Sequence, residues 1–371
     1  MLKLDVSSGR GRSNSGVSLS HLQYAEFLNT SSFLIPDTIA FTKILPFFKA
    51  VPGYSTRYKI DRVQLIGYEA YFVEQWISSR STSTLIVTYT GDKNDHVIAY
   101  HVQSLDTPNG DEDLTKSNRW PPQFISYLVE QLECPFSVAT QTSLGYAFIT
   151  NLAQLSPFLS LVDVKTGNID EDYIIYKVNL NLRKLGCGSR SAANADEPSK
   201  TMEDKFKSTF KIDPKIPIKY AVINLIYIVQ IFLYYYDVID PVYCDGLLCE
   251  KTENAIGEWW DIVSRIPLSH SIIRVMPPSA SMVQSIQAIV GFTVLCRYLL
   301  ELSGSNFNTP KDPLDVKGMK HSIEKFQKHH KAEITSTFTL ETLIKLFECG
   351  ENSKASQNLA KDLSKMKKLV K

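Results

Sequence analysis

The segment from Asp245 to Trp260 constrains the fold of this chain more than any other part of the sequence. It begins with an aspartate and a glycine, a pair typical of a tight turn, and continues with the rhythm of an amphipathic helix. Leu248 is expected to plug a core, and Thr252 to lie at the start of the helix. A weaker version of the pattern recurs over residues 334–347, which indicates that a small helical module is repeated.

Length and composition are those of an ordinary folded protein. The chain has 371 residues, enough for two domains, and 44% apolar residues, enough for real cores. Its net charge of +1 provides no general attraction to nucleic acid or anionic membrane, so we expect no direct DNA binding. The six scattered cysteines favour reduced thiols in an intracellular protein, and residues 1–16 lack the apolar core of a signal peptide.

One uncharged segment raises the question of a membrane. Residues 220–236 are rich in isoleucine, leucine, valine and tyrosine, and about 17 residues is the shortest length that spans a bilayer. Asn224 and Gln230 interrupt the run with polar amides. We therefore expect a fully buried central helix and no membrane span.

Composition and periodicity predict an α+β fold with two domains. Pro214 and Pro217 mark the boundary, because two prolines disfavour both helix and strand. We expect a flexible lead (1–30), an α+β domain with a mainly antiparallel sheet (31–213), an all-helical domain of two related modules (218–350) and a basic amphipathic tail (351–371).

The same patterns predict the individual elements. A short helix is expected within the lead, where apolar residues between Leu19 and Leu28 have helical spacing. Further helices are predicted at 38–49, 121–132, 199–210, 218–236, 250–264, 283–302, 316–330 and 339–349. Strands are predicted at 57–65, 69–77, 84–90, 96–103, 136–139, 146–151, 159–165 and 174–182.

The chemistry-bearing residues show no pattern of a catalytic site. The seven histidines lie outside the Gly-x-Ser-x-Gly context and other familiar catalytic frames, so we predict a non-catalytic protein without a cofactor. Cys244 and Cys249 have the spacing of a ligand pair, but a structural zinc site needs a second close pair, which is missing at the usual spacings. We predict no metal site and interpret Cys249 as a small buried hydrophobe.

A glycine turn flanked by basic residues, RKLGCGSR at 183–190, has two interpretations. Its backbone N–H groups, with Arg183, Lys184 and Arg190, can cradle an anion. The simpler interpretation is a tight turn that needs a positive φ at Gly186 or Gly188.

The candidates for contact with a partner are aromatic residues, tail residues and the basic residues of the glycine turn, Arg183, Lys184 and Arg190. Trp76, Trp259 and Trp260 are large enough to anchor one, and adjacent tryptophans on a helix cannot both face the same core. One of the pair is therefore expected in a crevice or an interface. In the tail, Leu359, Leu363 and Met366 share a helical face, which can dock in a partner's groove, fold back onto its own domain or remain frayed.

The opening segment, DGLLCEKTENAIGEW at 245–259, resembles the D-G-x-x-G-x-x-T-x-x-A-x-x-x-[FW] pattern of peptidoglycan-binding-like modules. Cys249 replaces the second glycine of that pattern. The repeat at 318–327 and 334–343 is similar to the last two helices of such a module, with Thr335 and Ser336 in place of the Asp-Gly turn. Because no export signal is recognised, the resemblance implies a helical scaffold and not cell-wall binding.

A second resemblance is carried by six segments spread over the chain: LIGYEAYFVEQW (65–76), VTYTG (87–91), NLNLRKLGCGSR (179–190), DGLLC (245–249), KDPLD (311–315) and FQK (326–328). With these segments, the whole chain resembles a narrower family of fungal proteins, which bind the Sin-three corepressor scaffold of a histone-deacetylase complex that silences transcription. This resemblance implies a nuclear, non-catalytic adaptor whose partners are the scaffold and subunits of that complex, and it supplies no catalytic residues. A cytoplasmic or membrane-peripheral trafficking adaptor is the alternative, and an enzyme that uses the glycine turn for a phosphorylated ligand is a third class.

Overall fold

Eight β-strands and eleven α-helices lie in the part of the chain that this computed structural model describes, which is residue 27 and residues 30–81, 84–105, 119–134, 136–188, 193–266 and 280–352. The predicted α+β class is confirmed, because the strands all precede residue 164 and most of the helices follow it. The strands are β1 (Ser32–Ile35), β2 (Tyr58–Ile66), β3 (Tyr68–Val73), β4 (Leu85–Tyr89), β5 (His96–Ser104), β6 (Ser137–Thr142), β7 (Gly145–Thr150) and β8 (Leu161–Asp163). The helices are α1 (Thr38–Lys49), α2 (Tyr54–Arg57), α3 (Glu74–Ser79), α4 (Pro122–Glu133), α5 (Ile169–Lys184), α6 (Lys200–Phe210), α7 (Ile218–Tyr235), α8 (Glu250–Val263), α9 (Met282–Ser303), α10 (Val316–His329) and α11 (Leu340–Asn352).

These elements form two compact units. The first contains the described residues of 1–70 and 85–158, and the second those of 71–84 and 159–352. The second unit therefore includes α3 and α5 as well as the helices that follow Pro217. The boundary predicted at 214–217 lies inside this second unit.

The first unit is built on a five-stranded sheet with the order β2-β5-β1-β7-β6. Neighbouring strands are antiparallel except β1 and β7, which confirms a mainly antiparallel sheet. Side chains of β1 alternate between the faces of the sheet. Phe33 belongs to a core that includes aromatic residues of α1 and α4, whereas Leu34 packs with Ala99 and Ala147 in a second cluster.

Helix α7 occupies the centre of the second unit, where it packs against α5, α8 and α9. Val222, Ile226, Val229 and Leu233 are fully buried along it. Among the described residues, α7 and α9 are long and apolar enough to cross a membrane, but about half of each lies in the core, as in a core helix of a protein outside the membrane. The expectation that α7 is fully buried is wrong, because one of its faces is exposed.

Two predicted strands are wrong in the structure. The segment 69–77 leaves β3 after Val73 and becomes α3, and the segment 174–182 lies inside α5. Acidic residues in the first turn of α5 and basic residues in its last turn complement the helix dipole. The apolar run of α5 is buried on several sides, and such a run has no periodicity that separates a strand from a helix.

A buried glutamine joins α7 to the turn that precedes α8. Gln230 is fully buried, and its Oε1 accepts a hydrogen bond of 2.8 Å from the Gly246 N–H. Its Nε2 donates to the carbonyl oxygen of Leu247 at 3.0 Å and to Oγ1 of Thr252 at 2.9 Å. The amide thus satisfies a turn that lies inside the protein, where an unpaired backbone group would be costly.

The same arrangement recurs between α10 and α11. Gln327 is fully buried, and its Oε1 accepts from the N–H groups of Thr335 and Ser336, each at 3.0 Å. Its Nε2 donates to the carbonyl oxygen of Thr337 and to Oγ1 of Thr342, both at 2.9 Å. Gln327 therefore has the same role in its turn as Gln230, which is an arrangement that two related modules would share.

We predict that Gln230→Met destabilises the protein by about 1–3 kcal/mol, because the change leaves the Gly246 N–H buried without its acceptor. Methionine preserves most of the side-chain volume, so the loss reports on hydrogen bonds more than on packing. Urea unfolding measures the change, with exposed Asn224→Ala on the same helix as the control. Equal stability of the two variants would contradict the assigned role.

The turns bound by Gln230 and Gln327 predict opposite effects on stability for Gly246→Ser and Ser336→Gly. Gly246 and Ser336 both adopt a left-handed backbone, with φ of 78° and 59°. A Cβ on Gly246 would lie 2.7 Å from the backbone oxygen of Ile223, so Gly246→Ser is expected to destabilise strongly. Ser336→Gly is expected to leave the free energy of unfolding unchanged or raise it by up to about 1 kcal/mol, since left-handed backbone is unfavourable for serine. Thermal denaturation compares the two variants, and equal losses would contradict the difference between the turns.

Candidate partner-binding surface

An arginine from α3 binds the turn at which the opening motif begins. Arg80 follows α3 with a φ of 65°, and its guanidinium donates to both carboxylate oxygens of Asp245 at 2.7 and 2.8 Å. Its Nε lies 3.0 Å from Sγ of Cys249, which is fully buried. Lys177 of α5 also donates to the Asp245 backbone oxygen at 3.0 Å. The aspartate of the motif therefore fastens α3 and α5 to the first helical module.

This pair shifts the pKa of both partners. Burial acts to raise the pKa of Asp245, but the hydrogen bonds and charge of Arg80 outweigh it and hold that pKa below its usual value. Burial likewise acts to lower the pKa of Arg80, and the hydrogen bonds and charge of Asp245 raise it instead. Both groups therefore remain ionised at neutral pH, as a bidentate ion pair requires.

The predicted anion-binding side chains Arg183 and Lys184 form ion pairs within the second unit. Arg183 binds Glu74 at the start of α3. Lys184 donates to Glu253 of α8 at 2.7 Å and lies 3.4 Å from Oγ of Ser78. The third predicted residue, Arg190, lies outside the described residues. These contacts give Arg183 and Lys184 a role in joining α3, α5 and α8.

The glycine turn after α5 uses its amides to end the helix. The N–H groups of Cys187 and Gly188 donate to the carbonyl oxygen of Leu182 at 2.8 and 2.9 Å, and that of Gly186 to Arg183 at 2.9 Å. Gly186 has a φ of 67°, as the tight-turn interpretation predicts. The amides that an anion would need are committed to the helix end, so the geometry favours the turn.

The tryptophans predicted as partner contacts have different surroundings. Trp259 is 1% exposed in the core of the second unit, whereas Trp260 is partly buried and donates to Oγ of Ser285 at 3.1 Å. Trp76, on α3, is also partly buried. A partner can therefore reach Trp76 or Trp260 without unfolding a helix, but not Trp259. The tail candidates Leu359, Leu363 and Met366 lie outside the described residues.

Sequence reasoning missed an exposed aromatic face on α7. Tyr220 is 58% exposed and Tyr227 is 42% exposed, with the exposed Asn224 between them and the partly buried Tyr234 one further heptad along. The signal was present in the sequence as a tyrosine at every seventh position. It was overlooked because an uncharged helix was taken to be buried on all sides.

The cysteines and the possible metal ligands are the remaining candidates for chemistry. In the described residues, which include all six cysteines, the thiols are free, and no group of three or more histidine, cysteine, aspartate or glutamate side chains is arranged to hold a metal ion. Burial, together with the nearby charges of Asp245 and Asp240, raises the pKa of Cys244 to about 11. A raised pKa disfavours the thiolate that a nucleophile or metal ligand requires.

The ion pair predicts a pH-dependent effect of Asp245→Asn. Because the pKa of Asp245 is lowered on folding, its stabilisation is present above its unfolded pKa of about 3.9 and is lost as the pH falls through the folded value. At pH 7 we expect a loss of about 1–3 kcal/mol, toward the lower end because Asp245 is partly exposed. Urea unfolding at several pH values should show the loss shrinking below about pH 4. The exposed Asp237→Asn is the control, and a pH-independent loss at Asp245 would contradict the pairing.

Comparison with known proteins relates the chain to one group over most of its length. Protein STB2 of Saccharomyces cerevisiae (strain ATCC 204508 / S288c) is 30% identical over 379 residues, which cover 91% of this chain and 41% of STB2. Protein STB6 of the same organism is 28% identical over 375 residues, which cover 92% of this chain and 45% of STB6. The chain thus spans less than half the length of the curated relatives it matches. No solved structure matches it significantly.

The family model described as "STB6-like, N-terminal domain" matches residues 31–185. The matched region begins just before β1 and ends directly after α5, so it contains the whole sheet of the first unit together with Arg80 and Arg183. The similarity to STB2 and STB6 extends over about nine tenths of the chain. Residues 31–185 therefore match an STB6-like N-terminal domain, and the chain as a whole is similar to STB2 and STB6 over most of its length.

Proposed function

We propose that the chain is a non-catalytic adaptor that binds the Sin-three corepressor scaffold and its histone-deacetylase complex in the nucleus. The observation that carries this proposal is the similarity to STB2 and STB6 over most of the chain, together with the family resemblance of its motifs. An adaptor of this kind needs a stable frame and exposed contacts, and it needs no reactive centre.

Charged side chains and a thiol of the second unit are engaged in the fold, which supports an adaptor. Arg80, Asp245, Arg183 and Glu74 join elements of the second unit through ion pairs, which occupies their charges in folding. Burial raises the pKa of the Cys296 thiol well above its ordinary value. Trp76 and Trp260 are partly exposed, and aromatic side chains are the usual anchors of protein interfaces.

Direct binding to the purified Sin-three scaffold is the expected result for the full chain. Trp76→Ala or Trp260→Ala is expected to weaken binding by about tenfold or more, because a truncated aromatic anchor loses at least about 1.4 kcal/mol. Biolayer interferometry measures the affinity, and Tyr89→Ala, at a 64% exposed aromatic in the first unit, is the control. A correctly folded chain that shows no binding to the scaffold would contradict the proposal.

The apolar helix α7, which is long enough to cross a membrane, is the observation behind the second candidate, a membrane-peripheral trafficking adaptor. Microscopy of the tagged chain in its native cells separates the two functions. Nuclear signal that coincides with deacetylase subunits is expected from the corepressor proposal. Signal confined to cytoplasmic membranes would reverse the order of the two candidates.

A further inference from the structure

The exposed face of α7 has the geometry of a helix-binding seam. Tyr220, Tyr227 and Tyr234 follow one another at intervals of seven residues, so the stripe drifts by only about 20° per interval around the helix. Its length is about 21 Å, from the rise of 1.5 Å per residue. A seven-residue repeat of large side chains is the spacing by which one helix packs along another.

The N-terminal half of the face is open, whereas Tyr234 at its other end is partly buried against Lys320. Tyr220 and Tyr227 are 58% and 42% exposed, and Ile216, just before the helix, is 42% exposed. The opposite side of α7 holds the core, with Val222, Ile226 and Val229 fully buried. The seam is therefore held on a rigid support, which lowers the entropy lost when a partner binds.

Positive charges lie on the tyrosine rings. Nζ of Lys219 is 5.8 Å from the centroid of Tyr220, and Nζ of Lys320, from α10, is 3.7 Å from the centroid of Tyr234. Lys219 is the only charged residue of α7 itself. Each end of the stripe thus carries a cation over an aromatic face, an arrangement suited to acidic groups that flank an apolar seam.

The acidic residues near the seam are committed to turns. Asp213, which precedes α7, accepts from the Lys215 N–H at 2.8 Å. Asp312 and Asp315, whose charges act on Tyr235, accept from the N–H groups of Leu314 at 2.8 Å and Gly318 at 2.9 Å. These bonds hold the ionised carboxylates at the turns, whereas Lys219 and Lys320 lie over the rings that a partner would contact.

We propose that this face binds an acidic amphipathic helix of a partner protein. The tyrosines would pack between the apolar residues of that helix, and Lys219 and Lys320 would pair with its flanking carboxylates. An anionic membrane is disfavoured, since the seam presents tyrosine hydroxyls and the amide of Asn224 where an interfacial helix presents leucine and phenylalanine. The inference does not require the corepressor scaffold to be that partner.

Two synthetic helical peptides of about three heptads test the proposal against the full chain. Both carry leucine at positions a and d, and they differ only in glutamate or lysine at e and g. Fluorescence anisotropy is expected to show that the glutamate peptide binds about tenfold or more tightly than the lysine peptide. The double variant Tyr220→Ala/Tyr227→Ala should weaken that binding by about tenfold or more, with Tyr89→Ala as the matched control.

A charge exchange provides a second readout that leaves the tyrosines intact. The double variant Lys219→Glu/Lys320→Glu should reverse the preference, so that the lysine peptide binds more tightly than the glutamate peptide. This readout does not depend on the stability of the tyrosine variant. Absence of binding, equal binding of both peptides, or binding unaffected by either double variant would overturn the proposal. Tyrosine-dependent flotation on phosphatidylserine vesicles without peptide binding would assign the face to a membrane instead.

Discussion

In each helical module of the second unit, a buried glutamine on one helix completes the hydrogen bonds of the turn that starts the next helix. Gln230 and Gln327 each accept from turn N–H groups and donate to a turn carbonyl and to the first threonine of the following helix. The first turn is buried from Gly246 to Cys249, so its backbone groups are shielded from water, whereas the second turn is partly exposed at Thr335 and Ser336. The packing of α8 and α11, and with it the position of α7, depends on these two amides.

The modules differ in what else holds their turns. In the first, Asp245 provides a carboxylate that Arg80 binds from α3, and Asn181 of α5 exchanges hydrogen bonds with Gly246 and Leu248. In the second, Thr335 occupies the aspartate position, and the Phe338 N–H donates to the Tyr235 carbonyl oxygen at the end of α7. The first module is therefore attached to α3 and α5, and the second is attached to the first. Arg80, Arg183 and Lys184 thus join elements of the second unit through ion pairs.

The helices of the second unit were predictable because their apolar residues repeat at helical spacing and prolines separate them. The segment 174–182 was not, since a run buried on several sides has the same composition in a strand and in a helix. Gln230 was interpreted as a polar interruption of an apolar run, because its partners at Gly246 and Thr252 lie beyond the end of the helix. The ion pair between Arg80 and Asp245 joins residues far apart in the chain, and no local pattern contains such a pair. The sequence alone indicated Trp76 and Trp260 as candidate contacts. The exposed face of α7 could be recognised only from the helices that pack around it.

Native-state hydrogen exchange of the turn amides tests the role of the glutamines most directly. In the unaltered protein, the Gly246 and Ser336 amides should exchange only with an opening free energy close to that of the α7 core. In Gln230→Met, the Gly246 amide should lose this protection while the Ser336 amide, which Gln327 binds, keeps it. A Gly246 amide that exchanges in the unaltered protein as fast as that of Lys93, in an exposed turn, would contradict the account.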